Sequence, residues 1–137
     1  MVLVDTSVWI KSLAGVNPWM KELDRLLSLD QVSGHELVYG ELLIGDRGGR
    51  AKLLAAYQLM NRARTIPHPD VVAFVRHRGL HGRGVGWIDI HLLASAIVER
   101  SQLWTVDPRL ADAPLADGRL ERRDHQVHRI AAVGAFE

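Results

Sequence analysis

Four acids interrupt otherwise apolar stretches of this 137-residue chain: Asp5 in "MVLVDTSVWI", Glu41 in "GELLIG", Asp89 in "WIDIHLLASA" and Asp107 in "QLWTVDPRL". An unpaired carboxylate on a packed face is costly, so each calls for a cation, a positive partner or exposure. Taken singly, the four have ordinary structural roles: Asp5 as a helix cap, Glu41 as a solvated helix residue, Asp89 as a first-turn acid and Asp107 as a turn residue before Pro108. Taken together, they suggest different chemistry. Clustered carboxylates repel one another, and a hard divalent cation such as Mg²⁺ or Mn²⁺ offsets that repulsion while preferring oxygen ligands. Such a cation can activate water and stabilise charge developing on a phosphodiester. The chain has no cysteine, so any metal is held by oxygen or imidazole.

The elements that must position these acids follow from the apolar pattern. Val2 to Val4 is a short β-branched run without polar alternation, which predicts a buried parallel strand with Asp5 at its carboxyl end. "QLWTVDPRL" predicts a second buried strand, ending at Asp107 and broken at Pro108. Ligands of open α/β sheets bind at the carboxyl ends of strands near the topological switch point, where two such acids can meet. Between them, Thr6 or Ser7 is expected to cap a helix carrying Val8, Trp9, Ile10 and Leu13. "NPWMKELDRLLSL" predicts a helix capped by Asn17 with Trp19, Leu23, Leu26 and Leu27 on one face. A short strand around Gln31 to Ser33, a helix through Leu37 to Ile44, and a helix within "GGRAKLLAAYQLMNRA" come next. "RTIPHP" is read as a short strand, followed by a helix from about Asp70 to Arg78 and the glycine-rich loop "RGLHGRGVG". "WIDIHLLASAIVER" then forms a helix with Asp89 in its first turn. The tail after Ala111 is weakly patterned, with one short strand expected near His128 to Ala132. Strands alternating with helices imply an α/β protein, a three-layer α/β/α sandwich with a mostly parallel central sheet, in one domain over residues 1–137.

Bulk composition narrows the function classes. The 47% hydrophobic and 24% charged fractions argue against disorder, and the net charge of +1 excludes a globally basic nucleic-acid binder. Absence of cysteine suits a reducing cytoplasm, the apolar runs are too short for a bilayer, and the N-terminus lacks the basic and apolar regions of a signal peptide. A cytoplasmic protein is expected, with no membrane partner. Local basic clusters remain as candidate phosphate contacts: Arg47, Arg50 and Lys52, or Arg76, Arg78 and Arg83. The second cluster is preferred because its loop leads into the Asp89 helix. The histidines fit structural or solvated roles better than catalysis. His91 projects from a different helix face than Asp89, His125 and His128 sit in the tail, and His35 and His81 are weak candidates for nucleic-acid contact.

"VLVDTSVWI", "ELLIG", "GWIDIHLLASA" and "LWTVDPRL", in that order, resemble the PIN-domain family, specifically VapC-like ribonuclease toxins of toxin-antitoxin pairs. The resemblance runs from near the start to about Leu110. It implies an α/β/α fold and Mg²⁺- or Mn²⁺-dependent endonucleolytic cleavage of RNA, often of a defined structured RNA. It also implies that Asp5, Glu41, Asp89 and Asp107 form the metal site, with Asp5 and Asp89 as direct ligands and Glu41 and Asp107 acting directly or through water. Thr6, Ser7 and Thr105 would orient a carboxylate or water. A VapB-like antitoxin and a homodimer are the implied partners. The chain departs from many relatives at "DPRL", where they carry an aromatic shortly after the acid, and at "SGHE", which interrupts the strand before Glu41.

Other acid-bearing folds fit less well. A haloacid-dehalogenase-like phosphatase wants a second Asp two positions after the first, where this chain has Ser7. A receiver domain requires a late lysine, and no lysine follows Lys52. The remaining alternative is a catalytically inactive PIN-like module that binds RNA or protein. Against it stands the presence of all four acids, since a binding surface has no need to concentrate negative charge where phosphate approaches.

Overall fold

The computed structural model describes residues 1–111, 119–123 and 127–131, the last two segments as backbone. Five strands form one sheet in the order β2-β1-β3-β5-β4, from β1 (Val2–Val4), β2 (Val32–Ser33), β3 (Gln102–Thr105), β4 (Arg119–Arg123) and β5 (Val127–Ala131). β1 runs parallel to both β2 and β3, pairing Val2 with Val32 and Val4 with Trp104. β5 adds antiparallel to β3, and β4 antiparallel to β5. The parallel part is thus three strands wide, extended at one edge by an antiparallel pair. All three residues of β1 are buried, as expected for a central strand covered on both faces.

Seven helices connect and cover the described strands: α1 (Thr6–Leu13), α2 (Trp19–Ser28), α3 (Glu36–Ile44), α4 (Ala51–Gln58), α5 (His68–Arg78), α6 (Trp87–Val98) and α7 (Pro108–Ala111). From β1 the chain crosses to β2 on one side, then through α3 to α6 to β3 on the other. The switch point therefore falls between β1 and β3. Because those strands are parallel, their carboxyl ends lie side by side. The backbone N–H of Asp5 donates to Trp104 O at 2.9 Å, carrying the ladder one residue past β1.

Several expectations shift by local physics. "RTIPHP" forms no strand; Arg62 makes an isolated parallel bridge to Gly34, and α5 begins at His68 rather than near Asp70. Pro67 sits just before that helix, where its missing N–H costs no helical bond. On α2, Trp19, Leu23 and Leu26 are buried but Leu27 is exposed, so the core stripe is narrower than the sequence suggested. β3 ends at Thr105, leaving Asp107 in the turn before α7. The tail carries two strands rather than one, and the expected Ala132 end of the second lies outside the described residues.

One buried histidine ties the scaffold together. His35 occupies the N-cap of α3, where Nδ1 accepts from Leu37 N–H at 3.1 Å and Nε2 lies 3.0 Å from Ser95 Oγ of α6. Its backbone N–H donates to Tyr57 Oη of α4 at 2.8 Å. The bond from Leu37 leaves Nδ1 bare, which assigns the ring proton to Nε2 and makes Ser95 the acceptor. His35 thereby links the helix bearing Glu41 to the helix bearing Asp89. It is fully buried, so the expectation of an RNA contact there is replaced by a structural role.

Candidate active site

Asp5 is only 3% exposed and stands at the N-cap of α1 with extended backbone, yet its side chain makes no capping bond to that helix. The cap reading fails. Instead Oδ2 accepts from Ser7 Oγ at 2.7 Å and from Thr105 Oγ1 at 2.8 Å. Thr105 in turn accepts the backbone N–H of Asp107 at 3.0 Å, and Ser7 Oγ accepts that of Val106 at 3.3 Å. Two hydroxyls thus anchor the Asp5 carboxylate to the loop that carries Asp107. Thr6 works on the opposite side, donating to Glu41 Oε1 at 2.7 Å and so joining α1 to α3.

Asp89 lies in the first turn of α6, with Oδ2 folded back against Gly86. Its carboxyl is pushed up to about 7, first by burial, then by the negative charges of Asp5, Glu41 and Asp107, and finally by a side-chain hydrogen bond with Asp5. The other three sequence-predicted acids therefore all act on the Asp89 carboxyl. They do not form a closed cage: among the described residues, no three acids or histidines are drawn into a ready-made metal-ligand group. Each of three carboxylates is turned toward a local partner instead, Asp5 to its hydroxyls, Glu41 to Thr6 and Asp107 to Arg109.

Arg109 is the site residue that sequence reasoning missed. Its Nε and Nη2 lie 3.2 and 3.3 Å from Asp107 Oδ1 and Oδ2, and its backbone N–H donates to Oδ1 at 2.9 Å. Both Asp107 and, more weakly, the charge of Asp89 hold the guanidinium in its charged form. The stem passes Gly84, whose φ of +73° favours glycine, and a Cβ there would sit 3.4 Å from Arg109 Cδ. The signal was present in "DPRL": an Asp before Pro, with Arg two residues on, is the pattern of a carboxylate accepting from the start of a short helix. The predicted arginines lie earlier in the chain, on and just after α5. Arg76 and Arg78 end α5, and exposed Arg83 turns its Nε back to Gly79 O at 3.1 Å.

The donor chemistry fits a hard divalent cation. The side chains gathered here offer carboxylate and hydroxyl oxygens, and the Asp89 carboxyl is raised by burial first and then by the charges of the other three acids, a repulsion that a bound cation would offset. Residues 2–115 match the PIN-domain family. The chain belongs to that family. This PIN domain is VapC-like: it is 38% identical over 119 residues to Ribonuclease VapC32 of Mycobacterium tuberculosis, in both the CDC 1551 / Oshkosh and the H37Rv strains. The match covers 86% of this chain and 94% of each relative. The PIN-domain match bears out the α/β sandwich expected from the strand and helix pattern.

Proposed function

We propose that this VapC-like PIN domain is an endoribonuclease toxin that requires Mg²⁺ or Mn²⁺ and cleaves phosphodiester bonds in structured cellular RNA. The observation that carries the reading is the Asp5 carboxylate, buried at a strand end, withheld from its own helix and fixed beside Asp89. A burial of that kind is costly unless a cation is to be held there. Asp5 and Asp89 are the direct ligands in this reading, with Glu41 and Asp107 completing the set directly or through water. When bound, the cation supplies Lewis acidity toward water and the scissile phosphate. The chain's own residues supply orientation: Ser7 and Thr105 fix Asp5, Thr6 fixes Glu41, and Arg109 brings a positive group to the phosphate side of Asp107. Arg76, Arg78 and Arg83 are proposed as outer backbone contacts that add affinity without sequence information.

The domain is taken as a single unit over residues 1–137, working in the cytoplasm. A VapB-like antitoxin and a homodimer are its proposed protein partners. Ile44 on α3 and Leu59 at the end of α4 are 88% and 89% exposed, apolar side chains that a protein partner could cover. No helix among the described residues is long and apolar enough to cross a membrane.

The test compares antitoxin-free wild type with Asp5→Asn on a total RNA pool, with Mg²⁺ or Mn²⁺ and with chelator. Cleavage is expected only for the metal-loaded wild type. Equal cleavage by the variant, or cleavage indifferent to chelation, would sink the proposed site, and no cleavage of any RNA would favour the inactive binding module.

A further inference from the structure

Arg109 leaves 64% of its side chain in solvent, yet two of its nitrogens stay on one carboxylate, Nε 3.2 Å from Asp107 Oδ1 and Nη2 3.3 Å from Oδ2. An ion pair so exposed gains little against the rotamer freedom of a long side chain. Something else must narrow that freedom. The Gly84 backbone lies against the rest of the arginine, so close that a Cβ on it would be 3.4 Å from Arg109 Cδ and 3.6 Å from Nη1. Those distances are ordinary van der Waals contact, and any atom beyond a Cβ would have to take the arginine's place.

Gly82 and Gly84 both have positive φ, +71° and +73°, so backbone shape alone favours glycine at each. Only Gly84 has a second reason. A Cβ on Gly82 would meet no described atom within 4 Å. Two residues past Gly84, Gly86 stands so near Asp89 that a Cβ on it would lie 3.4 Å from Oδ2. The segment from Gly84 to Gly86 thus borders Arg109 at one end and Asp89 at the other, and the guanidinium feels the negative charge of Asp107 first and of Asp89 as well. We infer that Gly84 is a positioning residue: its bare backbone is the wall that keeps the Arg109 guanidinium on Asp107, and so sets how much of that carboxylate a cation can reach. The effect on the cation rests on the metal-dependent ribonuclease reading; the effect on Arg109 does not. A larger residue at 84 displaces the arginine and frees Asp107 without altering any acid.

Asparagine tolerates positive φ better than most side chains. Gly82→Asn and Gly84→Asn are therefore a matched pair with similar backbone demands, and only the second puts side-chain atoms where Arg109 stands. In metal-free protein, NMR follows the Arg109 Nε–H, assigned by its loss in Arg109→Gln. That proton is expected to exchange with water roughly three- to tenfold more slowly in wild type and Gly82→Asn than in Gly84→Asn. In calorimetric titration, Gly84→Asn takes Mn²⁺ roughly two- to tenfold more tightly than wild type, as Arg109→Gln does, and the double variant no more tightly than either. Where the asparagine variant fails to fold, Gly84→Ser against Gly82→Ser makes the same comparison. Exchange unchanged at position 84, the same change from position 82, or Mn²⁺ effects that add to those of Arg109→Gln, overturn the positioning role and leave the ribonuclease reading standing. Faster exchange in Gly84→Asn with Mn²⁺ bound by none of the proteins upholds Gly84 and overturns the metal-dependent reading.

Discussion

The Thr105 hydroxyl donates to Asp5 Oδ2 at 2.8 Å, joining two strand ends that are 100 residues apart in the chain. The same oxygen accepts from Asp107 N–H, so one side chain sets the orientation of one acid and the backbone of another. Thr105→Val keeps the shape and removes both bonds. It leaves a buried carboxylate short of a donor, which costs about 1–3 kcal/mol of stability, read by denaturant unfolding. RNA cleavage should fall roughly ten- to a hundredfold, while Thr105→Ser retains most activity. A valine variant as active as wild type would show that Asp5 needs no such anchor.

Asp89 couples the acid cluster to stability. Its folded pKa of about 7 lies above the ordinary carboxylate value of 3.8, so the folded state binds more protons than the unfolded state between those values. The contribution is fully present below pH 3.8 and is lost as pH rises through about 7. In chelator the Tm should therefore suffer at about pH 8 relative to Asp89→Asn. Mn²⁺ should raise the wild-type Tm more at about pH 8 than at about pH 5.5, and should do little for Asp89→Asn. A Tm indifferent to Mn²⁺ at both pH values would remove the case for a cation among these acids.

The parallel strands and the acids at their ends were legible because a central strand leaves an unambiguous apolar run, as in "VLV" and "LWT". The helices bearing Glu41 and Asp89 were legible by length and caps. What stayed hidden was which way each carboxylate turns. Asp5 in a helix-start sequence reads equally as a cap, and only the geometry shows that its oxygens face Ser7 and Thr105 instead. "RTIPHP" misled because β-branched Thr65 and Ile66 suit a strand, yet no ladder forms there and the isolated bridge falls before it, at Arg62. Arg109 was passed over, and His35 was read as a weak RNA contact rather than as a buried cap. Their roles come from contacts with Gly84, Ser95 and Tyr57, which periodicity does not reveal.

Arg109 already places a positive charge on Asp107, where a divalent ion would compete for the same oxygens. The pair is largely solvent-exposed on the arginine side, so Arg109→Gln should change stability by no more than about 1 kcal/mol. Its effect belongs to binding instead. Freed of its internal cation, the cluster should take Mn²⁺ roughly two- to tenfold more tightly, measured by calorimetric titration, while RNA cleavage at saturating metal declines. Weaker Mn²⁺ binding in the variant would show that Arg109 assists the metal site instead of competing with it.

His35 gives the fold an acid limit. Burial, reinforced by the nearby charge of His91, lowers its pKa from 6.5 to about 4, and Leu37 N–H facing Nδ1 leaves no room for a second ring proton. The unfolded state thus binds more protons between pH 4 and 6.5, so stability falls as pH drops through that window and levels off below it. A shift of this size corresponds to up to about 3 kcal/mol. Protonation would also set Leu37 N–H against an N–H, loosening the link between α3 and α6 that spaces Glu41 from Asp89. His35→Asn keeps a capping acceptor for α3 and has no titrating ring. It should lose stability at neutral pH through the missing Ser95 contact, yet show a flatter fall between pH 6.5 and 4 in urea midpoints. Equal slopes for the two proteins would assign the acid limit to other groups.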